Sequence, residues 1–231
     1  MFGFDMGYMI IAGVMSLVGM FVSNRLKSKF EKYSQVGLSN RMSGKEIAES
    51  MLRYYGIFDV KVQMSQGFLT DHYNPADKTV NLSETVYNGR SISAAAVASH
   101  ECGHAVQHAT AYTMLAFRSA IVPFVKIASG MQQFLFMAGL LLISSAFGKT
   151  LMLLTIIAFA VTALFSLITL PVEFDASRRA LVWLDETGTA RGQEHEGAKD
   201  ALHWAAMTYV AAALAALVSL LYLVWRYMGR N

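Results

Sequence analysis

His100 and His104 stand four residues apart in the stretch AVASHECGHAVQH (96–108), and Glu101 directly follows the first of them. On a helix, positions i and i+4 share one face, so two imidazoles can point at one metal ion. Glu101 is rotated by about 100° from His100, which takes it out of that pair. It stands where it can take a proton from a water that the metal has acidified. That is the mechanical content of the H-E-x-x-H pattern. The bland alternative is a helix with incidental histidines, or a relic that no longer binds metal. The apolar run AAAVAS ahead of the motif, with Gly103 and Ala105 inside it, favours a closely packed helix.

His108 extends the row but does not complete it. Eight residues separate it from His100, about 12 Å along a helix axis, and zinc–nitrogen bonds are about 2 Å. Its place is beside the site or on the surface. Gln107 and Thr110 also break the longer H-E-x-x-H-x-x-G-x-x-H pattern. The best candidate for a third ligand is Glu173, in LPVEFDASRRAL, directly after an uncharged apolar segment. A carboxylate at a membrane edge is costly and points to a function. The spacing alone leaves a second reading open: an interfacial acid paired with Arg178 or Arg179.

The elements that must bring these residues together are set by composition. The chain has 231 residues, 55% hydrophobic and only 15% charged, where a soluble domain carries about a quarter charged. The apolar residues collect in runs, as spanning helices require. Four runs stand out, at 7–22, 121–147, 151–170 and 204–225. A net charge of +3, with no basic patch interleaved with aromatics, argues against nucleic-acid binding. Cys102 is the single cysteine, so no intrachain disulfide forms; it reads as a small buried residue.

Asp5 is the only charged residue ahead of the first run, while Arg25, Lys27, Lys29 and Lys32 follow it. That is the pattern of an uncleaved anchor with the following chain in the cytoplasm. Arg178, Arg179, Arg191 and Lys199 fall on the same side. The second and third runs then form a hairpin that leaves the cytoplasm after residue 118 and returns near Pro171. His100 and Glu173 therefore share one membrane face. The expected organisation is an anchor (1–24), a cytoplasmic zincin-like domain (25–118), a transmembrane hairpin (119–171), a cytoplasmic segment with the third ligand (172–203) and a last span (204–231). The fold class expected is a mainly α membrane protein with about four transmembrane helices and a small α+β domain that carries the histidine helix.

In that domain Ser43 and Glu46 form a capping box for a helix over 44–55 that ends at Gly56, with Ile47, Met51, Leu52 and Tyr55 inward. FDVKVQM (58–64) alternates as a strand, and KTVNLS (78–83) is a second. GFLTDHYNPADKT is turn-rich. Ser91 or Ser93 caps the histidine helix, and 185–197 reads as a polar loop. His72 and Arg178 are candidate donors to a substrate oxyanion. His195 and His203 receive no metal role.

Taken together, AVASHECGHAVQH, PVEFDASRRAL and LTDHYNPADKTVNLSETVYNGRS resemble the YugP-like neutral zinc metallopeptidases, bacterial membrane proteins, over nearly the whole chain. That group is similar to membrane gluzincins such as HtpX and the CAAX prenyl proteases. The resemblance implies Zn2+ as cofactor, His100, His104 and Glu173 as its ligands, and Glu101 as general base. It implies a membrane-associated polypeptide substrate, a bacterial plasma-membrane location with the site facing the cytoplasm, and VNLS (80–83) as an edge strand for substrate. One departure stands: the wider gluzincins carry Glu-x-x-x-Asp, and here position 177 is Ser, with the acid at Asp175. Either could support a ligand histidine. The rival to an enzyme is a membrane scaffold with a structural zinc, which a fourth protein ligand such as His72 or Cys102 would mark.

Overall fold

The computed structural model describes residues 6–67 and 70–229. The protein is mainly helical, with one small sheet. In chain order the elements are α1 (Met6–Ser34), α2 (Gly44–Tyr54), β1 (Lys61–Ser65), β2 (His72–Asn74), β3 (Thr79–Ser83), α3 (Glu84–Tyr87), α4 (Ile92–Ala109), α5 (Thr113–Leu141), α6 (Ala146–Glu186) and α7 (Gln193–Met228). Among the described residues, α1, α5, α6 and α7 are long and apolar enough to cross a membrane.

The described residues divide into two packing units. The first comprises 6–21, 117–170 and 208–229. Phe136, Met152, Phe159 and Leu223 are buried there, and Tyr8 packs against them, 4.7 Å from the Phe136 ring. Large apolar side chains such as Leu17, Phe124, Phe134 and Trp225 face outward. A soluble protein does not tolerate so large an exposed apolar surface; lipid does.

The second unit comprises 22–116 and 171–207. Its sheet has the order β1-β3-β2, with β3 parallel to β1 and antiparallel to β2. VNLS therefore lies in the central strand, buried along its whole length. This corrects the expected edge strand: both hydrogen-bonding edges of β3 are occupied, and the free edges belong to β1 and β2. β2 itself falls inside the stretch that reads as turn. Three residues are too few to show alternation, and only pairing with β3 makes them a strand.

Ser43 caps α2 with the full reciprocal box, its backbone N–H donating to Glu46 Oε2 at 2.7 Å. Ile47, Met51 and Leu52 are buried as expected, but Tyr55 is 36% exposed; it sits at the C-cap, past the last helical turn. α5 begins before the apolar run, at Thr113, and ends at Leu141, where a turn at 142–145 separates it from α6. The polar loop is also shorter, since α6 runs to Glu186 and α7 starts at Gln193.

α4 is the centre of this unit. Ser91 caps it by accepting from the Ala94 N–H, and it packs against α2, α3, β2 and β3. From Ile92 to Gln107 every residue is buried except His100 and His104. A helix enclosed on all sides is held by packing rather than by an amphipathic stripe. Its many alanines allow that enclosure, and the two half-buried positions are those with the right chemistry.

Candidate metal centre

α4 supplies His100 and His104, and α6 supplies Glu173. The approach of the two helices depends on Gly103: a Cβ there would lie 2.5 Å from the carbonyl oxygen of Ala176. With hydrogen at that position the backbones can touch. Glu173 Oε2 then lies 3.3 Å from His100 Nε2 and 3.5 Å from His104 Nε2. The two imidazoles are 4.8 Å apart and nearly perpendicular.

These three groups fit a tetrahedral cation. Ligand atoms about 2 Å from such an ion are about 3.3 Å from one another. All three donor atoms lie within 4.8 Å of each other. Glu173 is almost fully buried, and its Oε2 has no hydrogen-bond partner despite the nearby nitrogens. A buried carboxylate oxygen without a donor is costly. A cation at the focus of the three atoms would satisfy it. Two nitrogens and an oxygen are also the donor set that suits zinc.

Burial works against the charge on Glu173. The imidazoles of His100 and His104 outweigh that and hold its carboxyl well below the ordinary carboxylate range. For His104, burial likewise disfavours the charged form, but the Glu173 and Glu101 carboxylates more than compensate and raise it.

Glu101 is buried beside the pair and outside the donor cluster. One of its oxygens accepts from the backbone N–H of Tyr73 at 3.0 Å. The Tyr73 amide could not be found from sequence, since any residue supplies an N–H and β2 was not legible. Tyr73 also bonds His108 through its hydroxyl, 2.7 Å from Nδ1. His108 is exposed and outside the cluster.

The remaining candidates have other partners. His72 Nδ1 contacts the Thr70 carbonyl at 2.7 Å. Arg178 is 71% exposed and paired with Asp175, so the interfacial ion pair belongs to Asp175 and not to Glu173. His195 faces the Leu181 carbonyl. Cys102 is fully buried with its sulfur 3.5 Å from the Ala48 carbonyl, and burial pushes the thiol well up. Ser177 Oγ lies 3.1 Å from His100 Nδ1. Gln107, whose side chain breaks the longer histidine motif, lies against His104. Its signal was a large polar side chain three residues after a ligand on an enclosed helix.

Four long apolar helices and a compact His-His-Glu donor set define a membrane protein with a candidate metal centre. The family model described as "Putative neutral zinc metallopeptidase" matches residues 8–228, and the chain belongs to that family. It is similar to the "Putative membrane protease YugP" of Bacillus subtilis (strain 168), 48% identical over 208 residues that cover 90% of this chain and 91% of that one. No solved structure matches it.

Proposed function

We propose that the protein is an integral membrane endopeptidase that holds one Zn2+ through His100, His104 and Glu173 and hydrolyses peptide bonds of membrane-associated polypeptides. The observation that carries this is the orphaned, buried Glu173 Oε2 facing two imidazole nitrogens at ligand-to-ligand distances. Zinc in that position supplies an acidified water and a Lewis acid for the peptide carbonyl. Glu101 is the general base. The Tyr73 N–H fixes one of its oxygens, which leaves the other to take the proton from water and pass it to the leaving amine.

The scaffold alternative needs a fourth protein ligand. Among the described residues the cluster holds three, and Cys102 and His72 are engaged elsewhere. The basic residues that follow the first and third runs belong to the second unit. By the positive-inside rule that unit faces the cytoplasm of a bacterial plasma membrane. The organisation is then an anchor, a cytoplasmic domain, a transmembrane hairpin, a cytoplasmic segment with Glu173 and a last span.

The test is zinc content per chain in detergent-purified wild type, Glu173→Ala and Glu101→Gln, beside cleavage of a fluorescent unfolded protein. The wild type should hold about one zinc and cleave. Glu101→Gln should keep the metal and lose cleavage, and Glu173→Ala should lose both. Equal zinc in wild type and Glu173→Ala would remove Glu173 from the ligand set. Zinc-loaded wild type with no cleavage, while a fourth protein ligand appears in its X-ray absorption spectrum, would favour the scaffold.

A further inference from the structure

Gln107 is fully buried and touches both ligand-bearing helices. Its Nε2 donates to the Val172 carbonyl at 2.7 Å and to Asp175 Oδ2 at 3.0 Å. Both partners are acceptors with no hydrogen to give. Asp175 is held as an acceptor by Arg178 and by Arg179 Nε, the latter at 2.6 Å. Turning the amide over would set its oxygen against a carbonyl and a carboxylate, so the orientation is fixed. Gln107 Oε1 therefore faces His104 Nδ1, 3.0 Å away.

An amide oxygen only accepts, so Nδ1 of His104 must carry the hydrogen. In the neutral ring, Nε2 is then left with its lone pair, directed at the point that Glu173 also faces. The Val172 contact matters equally. Val172 immediately precedes Glu173, so one side chain ties the tautomer of His104 on α4 to the backbone that aims Glu173 on α6.

We propose that Gln107 is a positioning residue for the metal centre, a neutral relay through which Asp175 acts on His104. It rests on the reading of His104 and Glu173 as zinc ligands. The departure from Glu-x-x-x-Asp then has a physical account. Asp175, at i+2 from Glu173, cannot reach a ligand histidine itself. Gln107 spans the gap, and Ser177 separately meets Nδ1 of His100. Each ligand imidazole thus has its own partner on its outer nitrogen, the arrangement that usually orients metal-bound histidines.

The experiment measures zinc affinity by competition with a chromogenic chelator on the purified full-length protein. The variants are Gln107→Met, Gln107→Glu, Asp175→Asn and the double Gln107→Glu/Asp175→Asn. Gln107→Met should weaken zinc by about 10- to 100-fold. Gln107→Glu should weaken it at least as much, because it places a carboxylate against Asp175 and the Val172 carbonyl. In the double variant the new asparagine amide donates to the new glutamate, which still accepts from His104, so affinity should recover at least tenfold over Gln107→Glu. Thermal unfolding of the same variants separates a merely structural role, in which Tm and affinity move together, from the relay, in which affinity changes beyond what Tm reports. If Gln107→Met fails to fold, the comparison of Gln107→Glu with the double variant still decides. Equal affinity in those two, or wild-type affinity in Gln107→Met, overturns the relay and leaves the zinc site standing. Absence of zinc binding in the wild type, or wild-type affinity in Glu173→Ala, overturns the ligand reading and the relay with it.

Discussion

Gly103 of α4 and Ala176 of α6 meet backbone to backbone, so closely that a methyl group on Gly103 would lie 2.5 Å from the Ala176 carbonyl oxygen. This contact sits between His100 and His104 on one side and Glu173 and Ser177 on the other. It sets how far the imidazoles stand from the carboxylate. Two consequences of opposite sign follow from adding one carbon.

Gly103→Ala should gain about 1 kcal/mol in helix propensity and lose about 1–3 kcal/mol by overpacking against backbone that cannot rotate away. The expected net result is a lower Tm and a zinc content well below one per chain. Thermal unfolding and metal analysis of the variant measure both. A raised Tm with full zinc would show that the two helices are free to separate.

Tyr73→Pro removes the N–H that holds Glu101. That N–H faces α4 rather than β3, so the strand loses no ladder bond, and edge strands accept proline under that condition. The variant should keep its zinc and lose about 10- to 100-fold in kcat, less than the roughly 100- to 10,000-fold that a general base supplies in full, because the carboxylate stays but is no longer held. Tyr73→Phe, which loses only the contact to His108, should retain near-wild-type kcat. Steady-state kinetics of the pair separate the amide from the hydroxyl.

Acidification should release the metal. Zinc binds neutral imidazole, and in the metal-free protein the neighbouring carboxylates, overcoming burial, raise His104 above the ordinary value of about 6.5. A raised group holds its proton to higher pH, so zinc affinity should already fall as pH drops towards neutrality. Glu173, held low, stays ionised throughout that window and contributes no slope. Chelator competition between about pH 8 and 6 measures it. A flat profile there would mean that His104 does not compete with a proton for the ion.

Ser43→Ala should cost about 1 kcal/mol of stability in the second unit, since it removes the cap that satisfies the Glu46 N–H and anchors the reciprocal bond. Denaturant unfolding followed by the fluorescence of the buried Trp183 would report it. No change in midpoint would show that α2 is held by its buried face alone.

Cys102 should resist a small alkylating reagent in the folded protein and react fully in denaturant. Its thiol is enclosed, and burial keeps it protonated. Mass spectrometry with and without denaturant distinguishes the two states. Rapid labelling under native conditions would show that α4 opens.

The sequence alone determined the long helices, because about twenty consecutive apolar residues carry their own instruction wherever they fold. It also determined the local pair His100 and His104, since four residues on any helix share a face, and the cap at Ser43. Glu173 was legible as a candidate from its place after an uncharged run; its distance from the imidazoles was not. Tertiary structure decided what depends on two segments meeting. β3 became the central strand because β2, too short to announce itself, pairs along its outer edge. The Tyr73 amide met Glu101 through backbone that any side chain would provide. Asp175 and Ser177 read as alternatives in one dimension; in three, Ser177 contacts His100 directly while Asp175 reaches His104 by way of Gln107. Patterns along a chain specify elements and faces, but the partner of a buried polar atom is fixed only when two elements pack.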